Sequence, residues 1–329
     1  MMAMVVLLQI ISLLLGAVRL AVSDGTFTIQ NNCAATIWLG VVSSAGIQPL
    51  TLDNTMLSTG QTMTVTTPSN WGGRFWGRTG CSRGTDGTFT CAMGDCDGRE
   101  QCTVGGKPPA TLVEFTLSGY ANMDFYDVSL VDGYNLPMAV SPDGGGQGRN
   151  ATDPKSCGAA GCTGDLNRNC PAALQVTGTG NVVGCRSACD AFKEPQYCCT
   201  GENALPTTCK PTDYSKAFKQ SCPNAYSYAY DDLSSTFTCM GGRYTIVFCP
   251  TATDLSDDNN GVQFPEAQAV PAPAVPSTDG GDNFPVGGSS PTVGTNFRII
   301  SPSSAPSRIQ SLWWPLGLAL GIVLLKSIS

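Results

Sequence analysis

The chain carries sixteen cysteines, and all of them fall between Cys33 and Cys249. An even count at that density restricts the fold, because outside the cell thiols pair and the cross-links must fit one unit. The N-terminus agrees with that compartment. Residues 1–23 hold an apolar run, Met4 to Leu15, and end on the small residues Ala21, Val22 and Ser23. This pattern reads as a secretory signal cleaved after Ser23, although its n-region lacks a basic residue. The run is too short for a membrane span, which takes ~20 residues.

Beyond Cys249 the composition changes. The stretches "PAPAVPSTDGG" and "PVGGSSPTVG" show neither apolar period nor cysteine. Such a segment cannot bury enough surface to offset its ordering entropy, so residues 251–304 read as a disordered stalk. Residues 305–329 end in "LWWPLGLALGIVLL", Leu312 to Leu325, behind the small-residue cluster "SPSSAPS" and a polar spacer, Arg308 to Ser311. That order is the signal for a GPI anchor, with Ser303 or Ser304 as the attachment residue and the tail removed. The folded unit is then 24–250, long enough for a true core. It would be secreted and held at the plasma membrane by lipid alone.

The full chain has 18 basic and 25 acidic side chains, a net charge of −7. Arg19, Arg308 and Lys326 lie in the two end segments with no acid, so their removal leaves 15 against 25, or −10. A field of that sign excludes nucleic acid as a partner of the bulk surface. The chain has no histidine. That excludes Ser-His-Asp hydrolysis, Cys-His proteolysis and His-type zinc catalysis, and leaves acid–base work to carboxylates. No metal and no cofactor is expected. "DCDGRE" from Asp95 resembles part of a calcium loop, but it fails at the third ligand and at the Gly, and reads as a turn.

Within 24–250, "GTFTIQNN", "ATIWLGVVS", "QTMTVTTP", "TLVEFTLSG" and "RYTIVFCP" are short, rich in β-branched and aromatic residues, and bounded by Gly, Pro or Asn. They read as strands. Thr212 to Pro223, "TDYSKAFKQSCP", is the best helix, with Ser/Thr/Asp residues at its start and Pro closing it. The region from about 157 to 222 is cysteine-dense and weakly patterned, so cross-links must replace core there. The expected fold is mainly β: a sandwich with a cystine-rich satellite lobe.

Gly87 to Cys102, "GTFTCAMGDCDGREQC", resembles the signature of the thaumatin family: Gly-x-Phe-x-Cys, then Gly-Asp-Cys, a Gly and a closing Cys. "NNC" at Asn31, "WGRTGC" at Trp76, "DFYDVSLVDGYN" at Asp124, "YCCTG" at Tyr197, "SCPNAYSYAYDD" at Ser221 and "YTIVFCP" at Tyr244 extend the resemblance over Phe27 to Pro250. Met93 stands where Thr is usual, and Asn224 where Asp is common. The resemblance implies a thaumatin-like sandwich with small disulfide loops. It also implies the pairs Cys33–Cys249, Cys81–Cys91, Cys96–Cys102, Cys157–Cys239, Cys162–Cys222, Cys170–Cys185, Cys189–Cys198 and Cys199–Cys209.

The same resemblance implies an acidic cleft between sandwich and lobe, lined by Arg74, Glu114, Asp127, Asp132 and Asp231, with Asp232 the alternative to the last. Asp124 falls outside this set and reads as an ordinary solvent-side acid. Strand alternation turns Glu114 away from Val113 and Phe115 and puts Asp127 on the face of Ser129. Asp132-Gly133 reads as a turn. Phe125, Tyr126, Tyr134 and Tyr230 could stack on sugar rings, although core packing would also use them. Family members bind β-1,3-glucan and some hydrolyse it weakly. The expected role is therefore plant defence, with β-1,3-glucan or another cell-wall polysaccharide as partner and possible antifungal activity. The alternatives are a weak endo-β-1,3-glucanase using Glu114 with Asp127 or Asp132, and a non-catalytic structural wall protein. Asn150, in Asn-Ala-Thr, is the one N-glycosylation sequon. A monomer is expected.

Overall fold

A computed structural model describes residues 24–251 apart from 149 and 151. The expected signal segment 1–23, the expected stalk beyond Thr251 with Ser303 and Ser304, and the expected tail 305–329 lie outside the described residues. In chain order the strands are β1 (Gly25–Asn31), β2 (Ile37–Ser43), β3 (Met56–Leu57), β4 (Thr62–Thr67), β5 (Gly72–Arg78), β6 (Ser82–Arg83) and β7 (Phe89–Thr90). They continue with β8 (Leu112–Thr116), β9 (Asp124–Ser129), β10 (Met138–Pro142), β11 (Ala160–Gly161), β12 (Gln175–Gly178), β13 (Asn181–Cys185), β14 (Phe237–Cys239) and β15 (Arg243–Phe248).

Two sheets form the sandwich. One runs β11-β10-β15-β1-β4 and the other β14-β9-β8-β5-β2-β3. The five stretches with strand pattern correspond to β1, β2, β4, β8 and β15. Strand β5 lacks that pattern because glycines and arginines dilute its apolar residues. One of those glycines has a packing reason: a Cβ on Gly77 would meet Phe248 of the facing sheet at 2.8 Å. The second sheet is antiparallel throughout, whereas β1 pairs with β15 in parallel. Cys33 and Cys249 follow the ends of that first and last strand, and their disulfide closes a separation of 216 residues. A cross-link over so long a loop stabilises by roughly 5 kcal/mol in the chain-entropy account.

Aromatic rings fill the interior. Phe27 sits 4.9 Å from Phe75 and 4.7 Å from Phe115, and Tyr244 lies 4.9 Å from Phe115 and 5.1 Å from Tyr126. Tyr126 and Tyr134 are fully buried among these side chains, so neither is available to stack on a sugar. Asp124 overturns its sequence reading. It is only 4% exposed and accepts hydrogen bonds from Ser118 N (2.9 Å), Gly242 N (3.0 Å) and Tyr244 Oη (2.8 Å). The carboxylate ties the β8–β9 connection to the start of β15, and three donors replace the water that it gives up.

Arg78 is fully buried at the end of β5. Its guanidinium donates to the carbonyls of Trp38, Leu39, Arg99 and Glu100, and it lies 5.2 Å from the centre of the Phe89 ring. Desolvation lowers its pKa to about 10, while Asp95 and Glu100 pull the other way. One side chain thus fastens the small Cys96–Cys102 loop to β2. Within that loop Asp95 accepts from Cys91 N and Gly98 N, which makes "DCDG" a hydrogen-bonded turn.

The lobe has little apolar core of its own. Its longest helix, Asp213–Ser221, starts at a capping box: Thr212 Oγ1 accepts from Ser215 N, and Ser215 Oγ accepts from Thr212 N. Phe192, Tyr197 and Tyr214 form a half-buried ring cluster, with centroids 5.3–5.9 Å apart. Cys170–Cys185, Cys189–Cys198 and Cys199–Cys209 close short loops within it, while Cys162–Cys222 joins its two ends. The remaining disulfides are Cys81–Cys91 and Cys157–Cys239. Among the described residues no helix is long and apolar enough to cross a membrane.

Candidate functional site

The outer face of the six-stranded sheet carries a row of ionisable side chains. Arg74 on β5 is the register partner of Glu114 on β8, and Glu114 is the partner of Asp127 on β9. Alternation dictates this placement. Phe75, Val113, Phe115, Tyr126 and Val128 point into the sandwich, so their neighbours in sequence point away from it. Directly opposed residues of one face have Cβ atoms ~4.5–5.5 Å apart. The three charged groups are therefore held on adjacent strands of a rigid sheet.

Loops border the row. The chain at Gly105 lies against Arg74, and a Cβ there would meet the guanidinium at 2.6 Å. A Cβ on Gly106 would meet Trp76 Nε1 at 2.5 Å, and that nitrogen donates to Gly94 O. At the other end Tyr226 joins the sheet edge: its N–H donates to Val128 O, and its carbonyl accepts from Leu130 N. Asp132 enters from the turn after β9, where Gly133 N donates to Leu130 O.

Arg74, Glu114, Asp127 and Asp132 are half-buried. None of their side chains makes a hydrogen bond or ion pair with another described residue, and Asp127 Oδ1 is a fully buried atom without a donor. Burial raises the pKa of Glu114; the Arg74 charge lowers it and the Asp132 charge raises it further. Asp127 is pushed well above the usual carboxylate range by burial, then by the charges of Glu114 and Asp232. Asp132 is raised by burial, with Arg74 opposing. Asp190 and Lys193 of the lobe also act on Asp132, so the lobe borders the row electrostatically.

Asp231 is engaged elsewhere. It accepts from Ser227 N, Ser227 Oγ and Ser234 Oγ and pairs with Lys219 at 2.9 Å, which anchors the helix Asp213–Ser221 to the segment after it. Asp232 is the neighbour whose charge reaches Asp127, and it accepts from Tyr226 Oη at 2.8 Å. Sequence spacing could not separate the two acids, because they straddle the start of a short helix where strand alternation gives no guide. Phe125 remains half-buried on the face of Asp127, and Tyr230 donates to Ala204 O. Asn150 is exposed, and its Oδ1 accepts from Thr152 N and Thr152 Oγ1.

The arrangement can do two things chemically. Carboxylates and a guanidinium with unused hydrogen-bonding capacity can grip paired hydroxyl groups, and two acids of different environment can exchange protons with a bound substrate. Among the described residues no cluster of three or more His, Cys, Asp or Glu has the spacing of a metal site.

The chain is similar in sequence to known proteins. The sequence profile of the thaumatin family matches residues 31–250. The chain is 50% identical over 232 residues to "Pathogenesis-related protein 5" of Arabidopsis thaliana, an alignment covering 70% of this chain and 92% of that relative. It is 52% identical over 227 residues to "Thaumatin-like protein 1" of Prunus persica, covering 68% and 89%. It is 47% identical over 229 residues to "Glucan endo-1,3-beta-glucosidase" of Prunus avium, covering 68% and 90%. With a match across nearly the whole cystine-bound unit, the chain belongs to the thaumatin family.

Proposed function

We propose that this protein is a secreted plant-defence protein that binds β-1,3-glucan of a fungal wall through Arg74, Glu114, Asp127 and Asp132, with antifungal action following from that binding. The observation that carries the reading is that Arg74, Glu114, Asp127 and Asp132, half-buried together, make no side-chain hydrogen bond or ion pair with another described residue. Their free hydrogen-bonding positions match the paired hydroxyl groups of a sugar. Arg74 supplies donors for the same sugar, and Phe125 offers a ring at the edge. The Prunus avium relative, named for action on a 1,3-β-glucan, supports this choice of polymer. Retention on insoluble β-1,3-glucan over cellulose and xylan tests the reading. Equal passage through all three overturns it and favours a structural wall protein.

The name of that relative also favours a second reading, weak endo-hydrolysis. Asp127, the more strongly raised acid, would protonate the leaving oxygen, and Glu114 beside Arg74 would serve as the ionised partner. No metal or cofactor takes part. Reducing ends released from β-1,3-glucan by the protein, and lost in Glu114→Gln, would support catalysis; release unchanged by that substitution removes the assignment.

The same proposal covers the chain ends and surface. Residues 1–23 direct secretion, residues 251–304 form a stalk, and a glycolipid replaces 305–329 at Ser303 or Ser304. The protein acts as a monomer, glycosylated at Asn150. Release from cells by a phosphatidylinositol-specific phospholipase tests the anchor.

A further inference from the structure

A recess of about 610 Å³ shares no lining residue with the acidic row. Its walls come from the loop Cys91–Asp95, the segment Lys107–Pro109, the hairpin strand β12 and Arg186 just past β13. The volume lies within the range of small-molecule clefts and far exceeds what an inorganic ion fills.

Its electrostatics are opposite to those of the row. Two cations line it, Lys107 and Arg186, and neither makes an ion pair or side-chain hydrogen bond with another described residue. Arg186 Nε is fully buried and has no acceptor. A guanidinium nitrogen denied both water and a protein acceptor is the counterpart of the donorless Asp127 oxygen. The one carboxylate in the lining, Asp95, already takes Cys91 N and Gly98 N. The rest of the wall is mixed. Thr90 and Thr177 are exposed hydroxyl-bearing residues, whereas Met93 and Val176 are half-buried and apolar.

We propose that this recess binds an oligosaccharide of uronic acids. A carboxylate matches the planar fork of Arg186, Lys107 can meet a second carboxylate as a point charge, and threonines beside apolar side chains suit the alternating polar and C–H surface of pyranose rings. The chain as a whole carries a charge of −7. Its bulk field repels polyanions, so binding of this kind depends on the two local cations.

Titration of the full chain with hexagalacturonate, followed by calorimetry, tests the proposal. Saturable binding is expected, absent with the fully methyl-esterified hexamer and weakened at least tenfold in the double variant Lys107→Gln/Arg186→Gln. Glu114→Gln should leave it unchanged, which separates this recess from the acidic row. Arg186 adjoins the disulfide residue Cys185, so the single Lys107→Gln variant, at an exposed position, provides an independent reading with a several-fold loss. No saturable binding overturns the proposal. So does an affinity indifferent to both substitutions, or equal binding of inorganic sulfate or a poly-glutamate peptide, which would make the recess a general anion site.

Discussion

Glu114 on β8 and Asp127 on β9 stand directly opposite each other, and neither carboxylate is hydrogen-bonded to another described residue. Burial raises the proton affinity of both, and the Glu114 charge raises that of Asp127 further. The pair has a thermodynamic consequence that can be separated from any ligand.

Asp127 has a folded-state pKa raised by burial first and by Glu114 second. The folded state therefore keeps a proton that the unfolded chain releases near pH 4, and stability falls as pH rises from there through the raised value. Asp127→Asn removes that loss. Thermal unfolding should show the variant more stable at pH 7, by about 1–3 kcal/mol, and equal to the parent at pH 3. A substitution that destabilises equally at both pH values would mean that Asp127 holds no such proton.

Asp124 has the opposite status, a buried acid with three donors. Asp124→Ala leaves Ser118 N, Gly242 N and Tyr244 Oη without their acceptor. Urea unfolding at neutral pH should show a loss on the order of 3–5 kcal/mol. Tyr244→Phe removes one donor only and should cost about 1–2 kcal/mol.

Arg78→Met keeps an unbranched stem but removes the guanidinium and strips donors from four carbonyls. The expected loss is roughly 3–5 kcal/mol in equilibrium unfolding. Arg78→Lys should recover little of it, because an ammonium cannot reproduce the planar fork that spans β2 and the Cys96–Cys102 loop.

These three residues also show how far the sequence could be read. The outward placement of Glu114 and Asp127 followed from alternation, since Val113, Phe115 and Val128 identify the inner face. The same rule, applied to Asp124, places it with Tyr126 and Val128 on the inner face. Its acidity argued for solvent, but the donors that make burial tolerable come from 118 and 120 residues along the chain, as well as from Ser118 nearby. Arg78 gave no local signal, because its carbonyl partners lie 21 to 40 residues away. Asp231 and Asp232 were inseparable for a related reason: the choice depends on which one Lys219 claims. Strand pattern reports faces, whereas long-range polar partners become visible only once the chain is folded.

The Arg74–Glu114–Asp127 row is proposed to bind β-1,3-glucan. Calorimetric titration of the protein and its Glu114→Gln/Asp127→Asn variant with a soluble β-1,3-glucan oligosaccharide decides it. The parent should bind saturably and the variant at least tenfold more weakly, about 1.4 kcal/mol or more, with thermal stability at pH 7 maintained or raised. Equal affinity in the two proteins would contradict it.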